Sequence, residues 1–414
     1  MTRRRVVITG LGLISPVGNS VSEGWANLVA GRSGINTITR FDASAMSCRF
    51  AGEVKGFNVE DYIPGKEARH MDTFIHYGMA AAIQAVQDAG LPTGDALTED
   101  QAERIGCLVG SGIGGLPMIE ATQIEYAARG ARRISPFFVP ASIINMISGH
   151  ISIRLGFTGP NLSIVTACTT GLHAIGMAGR LIAYGDADAM VAGGSESTVS
   201  PLGIGGFAAA RALSTRNDDP LTASRPWDKD RDGFVLGEGA GVLVLEEYEH
   251  ARQRGARIYA ELAGFGMGAD AYHMTAPNVD GPKRSMKAAL RDAGVNVGDV
   301  QYLNAHGTST PLGDLNETNA IKLAFGDAAR GLVVNSTKSM TGHLLGGAGG
   351  IESVFTALAL HHQVSPPTIN IFNQDPECDL DYCANTARDM KIEVAVKNNF
   401  GFGGTNGTLV LRRV

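Results

Sequence analysis

The sequence predicts an α/β protein whose strands are buried beneath helices. Short apolar runs rich in β-branched residues alternate along the chain with longer segments in which apolar residues recur every three or four positions. Glycine accounts for 54 of the 414 residues and only 18% of residues are charged, so many tight turns and extensive hidden surface are expected. This alternation is typical of a sheet covered on both faces, and we expect mostly parallel strands.

In the first half of the chain, the apolar runs predict five strands and the helical periodicity predicts three helices. The predicted strands are residues 6–8, 104–109, 164–166, 189–191 and 241–246, and the predicted helices are 74–89, 142–155 and 172–183. A polar stretch at 214–233, rich in Asp, Asn and Pro, is expected to be a long loop.

The second half repeats the same style of organisation. The predicted strands are 259–265, 300–304, 333–336, 394–399 and 408–412, and the predicted helices are 283–293, 317–325 and 350–361. We therefore expect a duplicated α/β unit, with one half at residues 1–250, the other at 251–414, and the functional site where the halves face each other.

Composition excludes several classes of protein. The formal net charge is −6 and no long basic run is present, which argues against nucleic acid as a partner. No stretch approaches the ~18 consecutive apolar residues of a membrane helix. The apolar run after the three N-terminal arginines is interrupted by Thr9 and Gly10, so we expect a strand there and not a signal peptide.

Cysteine usage and surface charge indicate a compartment and an assembly state. The cysteines at 48, 107, 168, 378 and 383 form neither a CxxC pair nor a disulfide framework, which favours a reducing cytoplasm. A charged fraction of 18% is low for the surface of a solitary monomer, so we expect an oligomer.

Cys168 is the first candidate for a catalytic group. It follows the apolar run 164–166 and precedes the helical segment 172–183, so it should stand at a strand-to-helix turn. Backbone N–H groups and the helix dipole favour negative charge at such a turn and should lower the thiol pKa from its free value of about 8.5. We expect a nucleophilic thiolate; the alternative is a small buried hydrophobic residue.

Two histidines follow predicted strands in the second half. His306 comes after the strand at 300–304 and His343 after the strand at 333–336, each among glycines and threonines. Buried imidazoles stay neutral and can donate N–H groups to an oxyanion such as the enolate of a decarboxylated malonyl thioester. The alternative for each is a structural histidine. A glycine-rich turn at 398–407 could bring the N–H of Phe402 beside that of Cys168 and form a second oxyanion hole.

Four motifs in order carry a resemblance to a known family: VTACTTG at 165–171, NAHGTST at 304–310, KSMTGH at 338–343 and NFGFGGTN at 399–406. With them the chain resembles the β-ketoacyl-[acyl carrier protein] synthases, the type II elongating enzymes most closely. Two positions depart from the frequent pattern, since Thr170 and Asn399 stand where serine is common. Neither change removes a catalytic group.

The resemblance implies a thiolase-like fold of two similar halves in five αβαβα layers, and a homodimer. It implies that Cys168 takes an acyl chain from acyl carrier protein as a thioester. His306 and His343 would then promote decarboxylation of malonyl-acyl carrier protein and stabilise the enolate, with Lys338 tuning the histidines electrostatically. The enolate would attack the thioester and give a 3-oxoacyl product that is two carbons longer.

The resemblance also implies how the substrates bind. Thr308 and Thr310 resemble the hydroxyls that hold the phosphopantetheine arm, which arrives on the carrier protein, so no separate cofactor and no metal are expected. Phe402 resembles the gate between acyl loading and malonyl entry, and Phe400 is counted with the substrate-binding residues. The residues expected to line the acyl tunnel are Ile113, Phe207 and, from the second subunit, Phe138.

Carrier-protein docking in this family uses a basic patch. Its expected counterparts here are Lys66, Arg69, Arg132, Arg133 and Arg211. His70 stands where a lysine can occur, which would weaken that part of the patch.

Several other functions stay open at this stage. A polyketide ketosynthase would use identical chemistry on a different chain. A degradative thiolase would pair its nucleophile with one His and a second Cys, and residue type alone would also allow a zinc site at Cys168, His306 and His343. The run GSGIGG at 110–115 resembles a dinucleotide fingerprint, but its spacing is wrong for an NAD-dependent oxidoreductase.

Overall fold

A computed structural model describes residues 3–414, with ten strands in one main sheet and four more in two short ladders. The strands are β1 (Val6–Ile14), β2 (Asn36–Thr37), β3 (Phe50–Ala51), β4 (Ile105–Gly110), β5 (Asn161–Leu162), β6 (Ala189–Glu196), β7 (Gly239–Glu247), β8 (Ala260–Ala269), β9 (Tyr302–Asn304), β10 (Val333–Asn335), β11 (Val364–Ser365), β12 (Arg388–Asp389), β13 (Val394–Gly401) and β14 (Thr405–Arg412).

Fourteen α-helices lie among the described residues. They are α1 (Val21–Val29), α2 (Gly65–Ala68), α3 (Thr73–Ala89), α4 (Glu99–Glu103), α5 (Leu116–Arg129), α6 (Phe138–Ser142), α7 (Met146–Leu155), α8 (Thr170–Tyr184), α9 (Pro201–Ala209), α10 (Tyr248–Gln253), α11 (Asp280–Ala293), α12 (Pro311–Phe325), α13 (Lys338–Thr341) and α14 (Ala348–His362). None of the helices described between residues 3 and 414 is long and apolar enough to cross a bilayer.

The main sheet has the order β10-β9-β13-β14-β8-β1-β7-β6-β4-β5, and its two halves repeat one topology. Each half contributes five strands to this sheet. Numbered by their order in the chain, the five strands of either half lie in the order third, second, fourth, fifth and first from the edge of the sheet to its centre. The halves join where Val7 and Ile8 of β1 pair with Glu261 and Ala260 of β8. The expected duplication is therefore visible in strand order, while the boundary at residue 250 stays a prediction that falls between β7 and β8.

The expectation of mostly parallel strands is wrong. The outer pairs β5–β4, β4–β6, β10–β9 and β9–β13 are parallel. The inner pairs β6–β7, β7–β1, β1–β8, β8–β14 and β14–β13 are antiparallel. Helices pack on both faces of the inner strands, so most of their side chains are buried whatever the strand direction, and composition could not distinguish the two arrangements.

The buried apolar residues divide into layers that match the expected αβαβα arrangement, because the two halves of the main sheet both pack against one shared pair of helices. Helices α3 and α7 pack with the first-half strands in one cluster. Helices α8 and α14 form a middle layer whose cluster includes β7 of the first half and β14 of the second. Helix α11 and helix α12 pack against the other face of the second-half strands.

The two central helices approach each other through glycines. A Cβ added at Gly171 of α8 would lie 2.6 Å from the backbone nitrogen of Gly350 of α14, and one added at Gly349 would lie 2.2 Å from that of Leu172. Such distances are far below ordinary contact, so neither position can carry a side chain without moving a helix. Because α8 follows Cys168 and α14 follows His343, this contact sets the spacing of the two turns.

The predicted strand at 164–166 is absent. The chain leaves the sheet after β5, and the N–H of Thr166 is bonded to the hydroxyl of Thr170 at 2.8 Å, not to a neighbouring strand. A short 3-10 helix, Ala167–Thr169, then leads directly into α8. The β-branched residues before Cys168 therefore form an extended approach to the turn and not a strand.

Candidate active site

Three distant segments meet at one cavity of about 430 Å³. Cys168, His306 and His343 all line it, together with Phe207, Phe400 and other apolar side chains. The cysteine comes from the first half of the chain and both histidines come from the second. The sequence-predicted trio is thus brought together between the two halves.

Cys168 lies in the 3-10 turn at the start of α8, and its own neighbours hold it in place. Ala167 before it adopts a φ of 51°, a left-handed conformation that costs a non-glycine residue about 1 kcal/mol or more. The N–H of Phe402 is directed at the Cys168 sulfur. The same strained geometry recurs at the other two turns, where Ser309 has a φ of 72° and Leu345 a φ of 47°.

The expected lowering of the Cys168 pKa is contradicted. Burial raises the pKa of the thiol to about 12, although the charge of Lys338 and the N–H of Phe402 act in the opposite direction. The helix terminus and the backbone N–H groups favour the thiolate, but the apolar cavity removes water from the sulfur to a degree that the sequence does not indicate. The resting residue is therefore a neutral thiol.

The hydrogen bonds of His306 determine its tautomer. Its Nδ1 lies 3.5 Å from Nζ of Lys338 and 3.4 Å from Nδ2 of Asn399. Both neighbours are donors, so Nδ1 accepts and the ring proton of the neutral imidazole is on Nε2. His306 therefore offers an N–H donor at Nε2.

His343 has the same tautomer for a different reason. Its Nδ1 accepts the N–H of Leu345 at 3.3 Å, which again leaves the ring proton on Nε2. This Nε2 is buried and has no hydrogen-bond partner among residues 3–414. An unpaired donor that lines a cavity is the arrangement expected of a group that binds an oxyanion.

The two imidazoles lie close together and are neutral. Their ring centroids are 5.2 Å apart with the planes nearly perpendicular. Burial, and after it the positive charge of Lys338, lowers the pKa of His306 and of His343 well below the usual value. At neutral pH the pair thus presents two uncharged N–H donors.

Lys338 anchors the His306 turn from beneath. Its side chain is only 1% exposed, and its Nζ donates to the carbonyl oxygen of His306 at 2.6 Å. It also forms an ion pair of 2.6 Å with Oε1 of Glu352 on α14. Burial alone would raise the pKa of Glu352, but Lys338 and Lys397 hold it below its ordinary value, so the carboxylate stays charged.

Two family models match most of this chain. A model described as the β-ketoacyl synthase N-terminal domain matches residues 3–251, and one described as the C-terminal domain matches residues 259–372. The chain belongs to the β-ketoacyl synthase family.

Curated relatives and solved structures agree with this assignment. The chain is 56% identical over 417 residues to 3-oxoacyl-[acyl-carrier-protein] synthase 2 of Vibrio harveyi, covering 100% of both chains. It is 57% identical over 418 residues to the synthase of the same name from Vibrio cholerae, again covering 100% of both. A type II polyketide ketosynthase, solved with its acyl-carrier protein and bound to a hexaketide, is 36% identical with a TM-score of 0.91 and 100% coverage of both chains.

The remaining predicted binding residues of this β-ketoacyl synthase are divided between the cavity and the surface. Thr308 and Thr310 line the cavity with their hydroxyls 3.0 Å apart. Phe402 lines it too and is 40% exposed, with its ring 6.4 Å from that of Phe207. Phe400 lies beside the ring of His306 at 5.7 Å.

Ile113 and Phe138 do not line the cavity within one chain. Ile113 is bound through its N–H to Glu196, and Phe138 begins α6 in a region with much exposed apolar surface. Their predicted place in the acyl tunnel therefore stays a prediction, and for Phe138 it depends on a second copy of the chain.

The predicted docking residues are all exposed. Lys66 and Arg69 belong to the α2 segment, and Arg132 and Arg133 lie in the 3-10 turn after α5. These two segments touch, because the ring of His70 stacks on that of Phe137 with the centroids 3.8 Å apart. The fifth predicted docking residue, Arg211, lines the cavity, so it lies near the entrance to the reactive groups.

The carboxylates that hold the catalytic turns were not predicted from the sequence. Glu317 of α12 accepts the N–H groups of His306 at 2.9 Å and Gly307 at 2.7 Å. Glu196, at the end of β6, accepts the hydroxyl of Ser111 and the N–H of Gly346. For Glu196, the available sign was a lone acidic residue in an apolar, small-residue strand, which usually marks a buried group with dedicated partners.

Glu352 and Asn399 were missed as functional groups for a similar reason. Glu352 is the single charged residue in the apolar first three turns of α14, and Asn399 was noted only as a small polar change.

Among residues 3–414, no group of three or more His, Cys, Asp or Glu side chains is arranged to hold a metal ion.

Proposed function

We propose that this chain elongates fatty acyl chains by decarboxylative condensation of malonyl-[acyl carrier protein] with an acyl thioester on Cys168. The observation that carries the proposal is the meeting of one thiol and two neutral imidazole N–H donors at a single apolar cavity. A thiol alone would support many reactions. Two donors that cannot act as strong acids are suited to stabilising an enolate oxygen.

The first step is transfer of the acyl chain to Cys168. The sulfur attacks the thioester carbonyl of the acyl-carrier protein, a C–S bond forms to Cys168, and the bond to the pantetheine sulfur breaks. The proton of the Cys168 thiol ends on that departing sulfur. The N–H of Phe402 lies beside the reacting sulfur and, with the N–H of Cys168, would bind the oxyanion of the tetrahedral intermediate.

The second step is loss of carbon dioxide from the malonyl group. The bond between the carboxylate and the methylene carbon breaks, and its electron pair forms an enolate whose oxygen receives the Nε2–H groups of His306 and His343. Each such donor contributes a factor of roughly 10²–10³ to the rate. Lys338 supports this step indirectly, through the His306 carbonyl oxygen that it binds.

The third step forms the new carbon–carbon bond. The enolate carbon attacks the thioester on Cys168, the C–S bond breaks, and the thiolate takes up a proton. The product is a 3-oxoacyl-[acyl carrier protein] two carbons longer than the original chain. Phe402 lines the cavity and is also partly exposed to solvent, so it would gate the exchange of acyl and malonyl groups.

Acyl carrier protein is the proposed partner. The basic residues Lys66, Arg69, Arg132, Arg133 and Arg211 are exposed, as a docking surface for an acidic protein requires. Thr308 and Thr310 face the cavity and would hold the phosphopantetheine arm. Because that arm arrives on the carrier protein, we expect no resident cofactor. A carrier protein is present in the complex of the similar polyketide ketosynthase.

The cytoplasm is the proposed location. The five cysteines are free thiols, as a reducing compartment favours.

A homodimer is the proposed assembly. Strand β5 lies at one edge of the main sheet, and the side chains around it include Ile153, Leu162 and Val165, which are about half or more exposed. An exposed apolar edge strand is a liability in solution unless another strand covers it. A second copy paired along β5 would cover this strand, and the predicted tunnel role of Phe138 requires such a copy.

A polyketide ketosynthase is the second candidate, since solved relatives with similar folds act in polyketide systems. The full-length relatives named 3-oxoacyl-[acyl-carrier-protein] synthase 2 are much more similar in sequence, at 56–57% identity against 36%. We therefore favour fatty acid elongation.

Intact-protein mass spectrometry tests the proposal. Incubation with a long-chain acyl-carrier protein should give one acyl adduct, mapped to Cys168 and discharged by malonyl-carrier protein to a 3-oxoacyl product. Cys168→Ala should stay folded and accept no chain. Full condensing activity in that variant would contradict the assignment. Adducts that form only with polyketide intermediates would favour the second candidate.

A further inference from the structure

Two lysine ammonium groups share one buried carboxylate beneath the histidine pair. Oε1 of Glu352 pairs with Lys338 at 2.6 Å, and Oε2 pairs with Lys397 at 2.7 Å. The three side chains are at most 1% exposed. Lys397 belongs to β13, where it lies opposite Asn304 of β9, and it is not part of any motif that identified the site.

A buried lysine is costly to keep charged, so this cluster needs a reason. One carboxylate can balance one ammonium, and the second leaves an excess of one positive charge in surroundings of low polarity. The excess lies beside His306, because Asn399 Nδ2 bridges Oε2 of Glu352 at 3.1 Å and Nδ1 of His306 at 3.4 Å. The cluster therefore acts on an imidazole that is itself part of the reacting site.

Among residues 3–414, no carboxylate other than Glu352 forms an ion pair with Lys397. Glu317 from α12 directs its two oxygens at the N–H groups of His306 and Gly307; burial raises its pKa, whereas the charges of Lys397 and Lys338 act to lower it. The buried side chains of α11 include Ser285 and Met286 but no titratable group. Strand β14 places Leu409 opposite Lys397.

We propose that Lys397 is a positioning residue of the condensation: by occupying one oxygen of Glu352, it leaves the positive charge of Lys338 uncompensated at the His306–His343 pair. That charge keeps both imidazoles neutral and stabilises the negative enolate oxygen that their Nε2–H groups receive. The proposal deepens the proposed function and rests on it.

The ionisation of Lys397 gives the proposal a measurable signature. Burial, and then the neighbouring charge of Lys338, lowers the pKa of Lys397 to about 8, although Glu352 opposes the shift. Above that pH the second ammonium is lost and Glu352 neutralises Lys338. Decarboxylation should therefore decline on the alkaline side near pH 8, whereas its acid side is set by protonation of the histidines.

The experiment compares the wild type with Lys397→Met and with the double variant Lys397→Met, Glu352→Gln. The measured quantity is the rate of malonyl-[acyl carrier protein] decarboxylation between pH 5.5 and 9.5. In Lys397→Met the cluster has no net charge, so we expect a rate about 10-fold lower at pH 7. The acid limb should move up by about one pH unit, since a nearby positive charge no longer lowers the histidine pKa values, and the alkaline decline should disappear.

The double variant separates an electrostatic role from a merely structural one. It again carries one excess positive charge, because Glu352→Gln removes the anion that Lys338 would otherwise neutralise. We expect its acid limb to return to within a few tenths of a pH unit of the wild type. If Lys397 only stabilises the fold, the double variant should decarboxylate more slowly than the single variant, and neither the acid nor the alkaline limb of the pH profile should move.

Two controls complete the test. Lys391→Met removes an exposed lysine from the same segment and should leave the profile unchanged. Acyl loading of Cys168, followed by mass spectrometry, should persist in the Lys397 variants. If the wild type neither loads nor decarboxylates, the proposed function fails. If the wild type works but shows no alkaline decline, and the acid limb is unmoved in whichever variants fold, only the role of Lys397 is overturned.

Discussion

Gly349 lies so close to Leu172 that a Cβ on the glycine would stand 2.2 Å from the backbone nitrogen of the leucine. The two residues belong to α14 and α8, the central helices that begin beside His343 and Cys168. The distance between the Cys168 thiol and the His343 imidazole is therefore fixed by a contact between main chains. Side chains at this helix crossing cannot rearrange to accommodate an added methyl group.

The first prediction concerns this contact. Gly349→Ala should destabilise the protein by about 1–3 kcal/mol, the usual cost of overpacking, and should lower condensation further because the two catalytic turns move apart. Urea unfolding and product formation measure the two effects. Gly298→Ala, at a glycine whose added Cβ meets nothing within 4 Å, serves as the control. Full activity in Gly349→Ala would show that the crossing does not set the geometry.

The second prediction concerns the ionisation of Cys168. Because burial raises the pKa of its thiol to about 12, alkylation of the free enzyme by iodoacetamide should accelerate about tenfold for each pH unit between 7 and 9. Peptide mapping assigns the modified residue, since Cys48, Cys107, Cys378 and Cys383 are also free. A rate that levels off below pH 8 would indicate the lowered pKa that the sequence suggested.

The third prediction separates the roles of the thiol and the histidines. His306→Ala and His343→Ala should still transfer an acyl chain to Cys168 but should lose roughly 10²–10³-fold in malonyl decarboxylation, because each removes one oxyanion donor. Single-turnover loading and carbon dioxide release are measured on the same preparations. Normal decarboxylation in either variant would remove that histidine from the enolate site.

The fourth prediction concerns stability far from the cavity. His250 Nδ1 lies 2.6 Å from Oε1 of Glu246, and this hydrogen bond raises the pKa of His250 above its usual value. The stability it adds is fully present below the pKa of an unfolded histidine, about 6.5, and is lost as the pH rises through the folded-state pKa. His250→Gln should therefore lose more unfolding free energy at pH 6 than at pH 8.5. An equal loss at both would contradict the linkage.

Sequence motifs predicted the reactive side chains because their chemistry is local to each turn. Cys168, His306 and His343 each follow a strand or an extended segment and precede a helix, and such turns meet at one edge of an α/β sheet. Helix bounds also followed from periodicity: the segment predicted at 74–89 is α3, Thr73–Ala89.

Strand direction, thiol ionisation and the carboxylate supports were not predictable in the same way. They depend on which segments lie beside each other and on how fully water is excluded. Lys397 illustrates the limit. Its place in a β-branched strand gave no indication that it would meet Glu352, which lies 45 positions earlier in the chain. Only the folded arrangement joins them.

The buried neutral thiol also determines when the enzyme exchanges protons with the solvent. A protonated Cys168 can pass its hydrogen to the departing pantetheine sulfur, so loading should neither release nor consume a proton. Decarboxylation and bond formation then return the sulfur as an anion, and at an elevated pKa it must be reprotonated before the next cycle. Proton uptake should therefore accompany the condensation half-reaction alone, as a weakly buffered indicator would register it.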